Sequence, residues 1–343
     1  MIKSLAQKYK KSFISIFMAF LAAIIILLLS GKNKAEVLST FFTSTFRSKY
    51  YFGTMLNSFS MLLFASLGAT VALQSGLMNL GGAGQIFLGA FITAVLLKHE
   101  NFPVSITFLI VAASTAAIGG LSAILKIKKN INELLSSFLI SAAIIPLIDS
   151  AIAGPMRNSS GNLIATDFIA VNHRLTQILK PSPLNLSILV SLIVCLAFFF
   201  FLKYTKHGKQ YSLTGTAYDF AKFSGYNCDS YQTVGMMISA ALHGAAGFYC
   251  VTGVYYTCHS GFYGGLNWDG ITISLIAQNN PLLLIPSSLI ISWLYTSCDA
   301  TALRCNFSFD MNSLVEAVVI MTISANFYLP QFIKRIKSKN DNS

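Results

Sequence analysis

Residues 264–281 read Gly-Gly-Leu-Asn-Trp-Asp-Gly-Ile-Thr-Ile-Ser-Leu-Ile-Ala-Gln-Asn-Asn-Pro, polar at both ends around about ten mostly apolar residues. An ordinary membrane-crossing helix needs roughly 20 apolar residues, so this core is too short to cross a bilayer in that form. The chain around it is nonetheless built for lipid. Backbone that breaks at membrane depth persists only where protein or a water-filled cavity satisfies its polar groups. The segment therefore predicts a route through the membrane rather than an anchor in it.

Of 343 residues, 54% are hydrophobic and only 10% charged, with a mean hydropathy of +0.64. A soluble domain carries about 25% charged residues, so the composition indicates an all-α, polytopic membrane protein whose single transmembrane domain fills 1–343. The first apolar run, Phe13 to Ser30, follows Lys3, Lys8, Lys10 and Lys11 like a signal peptide. Gly31-Lys32-Asn33-Lys34 offers no small-residue cleavage site and more apolar runs follow, so a retained first helix is expected. The net charge of +12 does not indicate a nucleic-acid partner, because the basic residues are dispersed among loops and tails. Orientation in a lipid bilayer explains it better, since cytoplasmic loops are rich in Lys and Arg. The six cysteines (195, 228, 250, 258, 298 and 305) form no CxxC and no metal-type spacing. Four lie in or near apolar runs, where a thiol acts as a small hydrophobe; neither a metal site nor a structural disulfide is expected.

Apolar runs fall at about 13–30, 54–73, 86–97, 104–125, 133–153, 186–202, 231–256, 270–279, 282–298 and 313–329. That pattern predicts ten transmembrane segments with both termini on one side. With the N-terminus inside, the inner cations are Lys3, Lys8, Lys10, Lys11, Lys126, Lys128, Lys129, Lys203, Lys206, Lys209, Lys222, Lys334, Arg335, Lys337 and Lys339, 15 of the 24. Divided into two fives, about 13–153 and 186–329, each set has an unusually short third member, 86–97 and 270–279. Each of these follows a glycine-rich polar stretch, 76–85 or 264–270. Because five is odd, the halves would be inverted, and short broken helices at matching positions of inverted halves point to a transport site. The competing explanation is close helix packing through glycine. Two hydrophilic segments are long: an extracytoplasmic loop at 154–185, expected as a cap with short helical turns, and a cytoplasmic loop at 203–230. Within the latter, Thr216–Phe223 suits a short helix with Gly208, Gly215 and Gly225 as breaks on either side.

The spacing from Thr205 through Gly208, Gly215 and Ala221 to Gly225 resembles the cytoplasmic coupling loop of permease subunits in ATP-binding-cassette (ABC) importers. The similarity is to the branch for branched-chain amino acid, ribose and nucleoside uptake. Gly76-Leu77-Met78-Asn79-Leu80-Gly81-Gly82-Ala83-Gly84-Gln85 is similar to that branch's G-L-x-N-[IL]-G-x-x-G-Q signature. Asn132-Glu133 and Gly154-Pro155, bounding the fifth run, also match. Asp269-Gly270-Ile271 with Leu275 and Asn279-Asn280-Pro281 resembles the nucleoside-importer permeases that work with basic-membrane-lipoprotein binding proteins. The likeness spans roughly 54–330. It departs in the coupling loop, where the family's Arg is Ser212 and its Asn is Ala217.

The resemblance implies the permease subunit of a nucleoside importer in a bacterial cytoplasmic (inner) membrane. Three partners are implied: a cytoplasmic ABC ATPase, a second homologous permease and an extracytoplasmic substrate-binding lipoprotein. The chain has no G-x-x-x-x-G-K-[ST]; Gly208-Lys209 runs into Gln210. No cofactor is therefore expected on it, ATP being bound by the partner, and it is not expected to be an enzyme. Nucleosides are neutral and rich in hydrogen-bonding groups, so Asn79, Gln85, Asn279 and Asn280 are candidates for the substrate pathway, or for caps on broken helix ends. Asp269 is a candidate on that pathway and also fits a helix N-cap. Gly208, Gly215, Asp219, Ala221 and Gly225 are the candidate ATPase-coupling positions. Glu316 in the tenth run is an ionisable membrane residue that could also pair with Arg304. His243 lies on a small-residue face and is expected to hydrogen-bond a neighbouring helix; Asp149 and Asp299 are expected near the outer surface. A sugar or branched-chain amino acid permease, or an ion-coupled secondary transporter, are the alternatives.

Overall fold

The computed structural model describes residues 33–306, most of 16–29, and positions 313, 314, 317, 318 and 321. Among the described residues the chain is helical, with no strand beyond one isolated bridge between Ala165 and His259. The helices after residue 33 are α1 (Lys34–Arg47), α2 (Lys49–Gln74), α3 (Gly82–Leu97), α4 (Val104–Lys129), α5 (Glu133–Ala153) and α6 (Ser187–Tyr204). They continue with α7 (Lys206–Thr216), α8 (Tyr218–Phe223), α9 (Cys228–Cys250), α10 (Leu266–Ile276) and α11 (Pro281–Arg304). Six of these are long and apolar enough to cross a membrane: α2, α4, α5, α6, α9 with its extension, and α11. Ile16–Leu29 and Gly82–Leu97 are shorter apolar helices. The run at 313–329 lies largely outside the described residues, and Glu316 wholly so.

Burial follows the sequence. α2 and α9 are apolar or small on nearly every face and form the buried centre, as a helix without a polar side must. α5 and α6 lie at the periphery, with Leu135, Leu139, Leu147, Leu189, Ile193 and Phe200 directed outward. Such continuous outward apolar faces fit contact with lipid, which offers an apolar surface where water would not. Helix starts use the side chains that satisfy orphan amides. Asn132 accepts from Leu134 N–H at 2.8 Å, Thr205 from Gly208 N–H at 2.9 Å and Asn227 from Ser230 N–H at 3.1 Å.

Close helix approach depends on small residues. A Cβ on Gly247 of α9 would sit 2.0 Å from Ile86 O of α3, and one on Gly89 of α3 would sit 2.4 Å from Gly244 O. Hydroxyl and amide pairs add directional contacts: Thr70 to Ser274 at 2.7 Å, Ser60 to Ser187 at 3.0 Å and Asn185 to Asn57 at 3.0 Å. In membranes such bonds contribute about 0.6 kcal/mol each.

The molecule has two distinct ends. At one, Tyr211 Oη donates to Val71 O (2.6 Å) and Ser212 Oγ to Gln74 Oε1 (3.2 Å), which seats the 203–230 segment beneath α2. At the other, the 154–185 segment is held by Ala170 N–H to Leu97 O and Thr166 N–H to Cys258 O, both 2.9 Å, and by a Lys98–Asp167 ion pair at 2.6 Å.

Several expectations change. The 154–185 segment contains a single short 3₁₀ turn, Val171–His173, and is otherwise irregular, because its backbone bonds go to neighbouring loops. Ahead of α2 the chain adds a helix that the apolar runs do not mark: α1 lays Val37, Phe41, Ser44 and Thr45 against the bundle, with Thr45 bonded to Ser297 at 2.8 Å. Two helices, not one, occupy the cytoplasmic-loop candidate. Gly208 and Gly215 lie inside α7, and the break falls at Ala217 (φ −147°). Those two glycines answer crowding: a Cβ would meet Phe201 O at 2.0 Å or Gln74 O at 2.3 Å. Gly225 does end α8, at φ +78°, where the left-handed conformation costs glycine nothing.

Candidate functional site

The two short helices that the sequence singles out meet. α10 has 11 residues, about 16 Å of helix, half the thickness of a hydrocarbon core of about 30 Å. Its first turn, at Asn267, lies against Gly82 at the first turn of α3, where an added Cβ would meet Asn267 Oδ1 at 1.9 Å. From that junction α3 runs to Leu97 at the 154–185 end. α10 runs the other way, to Asn279, whose carbonyl accepts from Gln74 Nε2 at 2.6 Å.

Beside the junction is a fully buried polar cluster. Asn79 and Gln85 exchange two hydrogen bonds (2.8 and 3.2 Å), Asn79 Nδ2 also donates to Ser239 Oγ (3.0 Å), and its Oδ1 accepts from Gly81 N–H (2.9 Å). His243 of α9 reaches Gln85 Oε1 at 2.9 Å and Ala65 O at 3.2 Å, so it ties α2, α3 and α9 together as a helix-bridging imidazole. The cluster therefore joins Asn79, Gln85 and His243, and leaves Asn279 and Asn280 at the far end of α10. Asn280 is the N-cap of α11, accepting from Leu282 N–H at 3.1 Å ahead of Pro281 at the first helical position. Asn279 adopts φ +56° and accepts from Ser274 Oγ at 3.0 Å.

Between this junction and the 154–185 end lies a cavity of about 400 Å³, walled by α2, α9, α10 and α11. Tyr255, Phe262, Tyr263 and Tyr295 give it aromatic walls, while Thr54, Asn57, Ser58 and Thr296 give hydroxyls and an amide. Asp269 and Asp299 supply carboxylates; the described lining holds no Lys or Arg. Asp269 is not the cap of α10. Gly265 (φ +78°) occupies that position, and Asp269 falls within the first turn, accepting from Tyr295 Oη at 2.6 Å. Five residues of wide-turn helix, Val251–Tyr255, follow Cys250 in α9 as a π segment, which turns Tyr255 into the cavity. Nothing in the sequence marks that turn except Gly253, whose carbonyl accepts from Asn185 Nδ2 at 3.3 Å. Asp299 is exposed and lines the same cavity, and Asp149 accepts from Ser260 Oγ at 2.6 Å near the same end, as expected for both.

At the opposite end, α8 projects from the helical body. Ala221 is buried against it and Asp219 is exposed, while Phe220 and Phe223 are 61% and 92% exposed. Two bare phenylalanines on a helix outside the apolar bundle mark a contact surface; the glycine spacing alone did not point to them. Burial, then the neighbouring Asp229 charge, holds the Tyr218 phenol above its ordinary range, so it remains a neutral donor at the base of α8. All six cysteines are free thiols, and no cluster of His, Cys, Asp or Glu that could hold a metal occurs among the described residues.

Comparison with known proteins places this geometry. The chain is 30% identical over 318 residues to the probable riboflavin import permease protein RfuC of Treponema pallidum, covering 91% of this chain and 84% of that protein. It is 21% identical to the guanosine ABC transporter permease protein NupP of Bacillus subtilis, over 96% of this chain and 97% of the relative. The solved structure of PsaBC from Streptococcus pneumoniae in complex with Fab shares the fold at a TM-score of 0.50 and 15% identity, over 84% of this chain and 95% of that one. With residues 51–324 matching its model, the chain belongs to the family described as branched-chain amino acid transport system, permease component.

Proposed function

We propose that this permease carries neutral nitrogen heterocycles joined to a ribose-derived chain, nucleosides first among them, and that a separate ATPase drives it. The observation that carries this reading is the cavity above the α3–α10 junction. Its aromatic walls can stack a planar ring, and its hydroxyls, amide and carboxylates can accept from ribose hydroxyls and ring N–H groups. A branched-chain amino acid would bring its own carboxylate to Asp269 and Asp299, with no Lys or Arg in the described lining to receive it. A bare sugar has no planar ring to fill the space between the aromatic walls, though its C–H face can pack on one of them. Guanosine and riboflavin, named in two relatives, share this chemistry: each is a planar heterocycle on a five-carbon polyhydroxy group, a ribose ring in one and an open chain in the other.

The wider architecture we adopt is ten crossings in two inverted halves. Two short helices that start together and run to opposite ends are what inverted repeats with broken helices would place at mid-membrane. The 154–185 end is taken as extracytoplasmic, to receive substrate from a binding lipoprotein. The 203–230 end, with Lys126, Lys128, Lys203, Lys206 and Lys209, is taken as cytoplasmic in the inner membrane, with both termini on that side. There α8, carrying Phe220 and Phe223, is the lever for the ATPase, and a second permease completes the pore. Family membership favours this ATP-driven reading over ion coupling.

The test is uptake into proteoliposomes holding the chain with its cognate ATPase, sister permease and binding protein. ATP-dependent entry of guanosine or riboflavin, and exclusion of their monophosphates, is expected. Entry of leucine or glucose in preference to both would overturn the substrate assignment.

A further inference from the structure

Asn267 is 2% exposed, yet among the described residues neither Oδ1 nor Nδ2 of its amide has a hydrogen-bond partner. The surrounding buried amides are not like this: Asn79, Gln85, Asn57 and Asn185 are all bonded. A buried unpaired amide loses its water without replacement, and such a group in an otherwise satisfied core calls for a specific explanation. Its position is equally particular. Leu266 and Asp269, flanking it in the first turn of α10, line the cavity, whereas Asn267 turns the other way, onto Gly82 of α3 and next to His243. It therefore stands on the closed seam directly beyond the cavity, where the two short helices touch.

We propose that Asn267 is a specificity-determining residue of the translocation step, its amide held unpaired in this closed arrangement and paired with the substrate when the α3–α10 seam parts. A primary amide offers one donor and one acceptor side by side. Its complement is an edge with adjacent acceptor and donor, the lactam –CO–NH– that guanine and the flavin ring both carry. The inference rests on the proposed heterocycle substrate and deepens it by naming the group that reads the ring edge. Asn79 and Gln85 cannot take this role without first breaking their mutual bonds; Asn267 has none to break.

The experiment uses the full transporter and the variants Asn267→Leu and Asn267→Ala, with guanosine and 1-methylguanosine as probes, the second lacking the lactam N–H. Wild type is expected to take up guanosine about 5- to 10-fold better than its methylated form, the worth of roughly one well-placed hydrogen bond. Asn267→Leu is expected to bring that ratio close to 1 while raising the thermal midpoint of the purified complex by about 2 °C or more, because the unpaired polar atoms are gone. A residue that merely packs would lower stability and leave the ratio intact, which would overturn the proposal. Should wild type import neither probe, the substrate assignment fails on its own. The thermal midpoint then decides whether the amide is held at a cost: a rise in both variants supports it, and an unchanged or lowered midpoint in Asn267→Leu overturns it.

Discussion

Asp269 precedes a glycine and an apolar run, the sequence of a helix cap, yet its carboxylate sits within the first turn of α10 and takes the Tyr295 hydroxyl. The difference comes from Gly265, whose left-handed conformation starts the helix four residues earlier than the apolar pattern alone suggests. Asp269→Ala removes both an acceptor in the cavity and the partner of Tyr295, so a rise in the KM for guanosine of about tenfold is expected in the uptake assay, with the protein still folded. The glycines separate in the same way. Gly215→Val forces a side chain against Gln74 O and Gly76 N and is expected to destabilise the protein by about 1–3 kcal/mol, read as a lower thermal midpoint. Gly225 has open space around it, so Gly225→Ala costs only the left-handed backbone, about 1–2 kcal/mol.

At the scale of elements, the short helices were legible because length and glycine flanks are properties of the chain itself. Their meeting point was not, since nothing in 76–85 or 264–270 says that the first turns touch. The 203–230 segment divides similarly. Its glycine spacing marks α8 but not α7, because Gly208 and Gly215 look like breaks in the sequence and serve close approach inside α7 in the fold. The exposed faces of Phe220 and Phe223 emerge only once Ala221 is known to be the buried side of α8. If α8 is the lever, Phe223→Ala should leave membrane insertion and thermal stability unchanged. ATP-driven uptake should fall by about tenfold or more while ATPase activity continues, since aromatic side chains including Phe are enriched in the cores of protein interfaces. α1 was readable in retrospect: Val37, Phe41, Ser44 and Thr45 recur at helical spacing on one face.

For the whole molecule, the all-helical membrane class is legible in the long apolar runs of the chain. The cavity was not foreseeable, because its walls come from residues 54–62, 250–269 and 295–299, which only the fold brings together. Orientation is tested by impermeant thiol labelling of intact cells. A cysteine at Lys180 should react from outside and one at Lys209 only after the membrane is opened; the reverse pattern would invert the assignment. The most direct measurement addresses the seam between the two short helices. An ideal Cβ on Gly82 lies 2.7 Å from Asn267 Cγ, so the pair Gly82→Cys with Asn267→Cys is within reach of a disulfide. Uptake by this double variant is compared reduced and oxidised, with wild type under the same oxidant as control. Uptake that stops on oxidation and returns on reduction is expected if substrate passes where α3 and α10 part; undiminished uptake with the cross-link formed would contradict it.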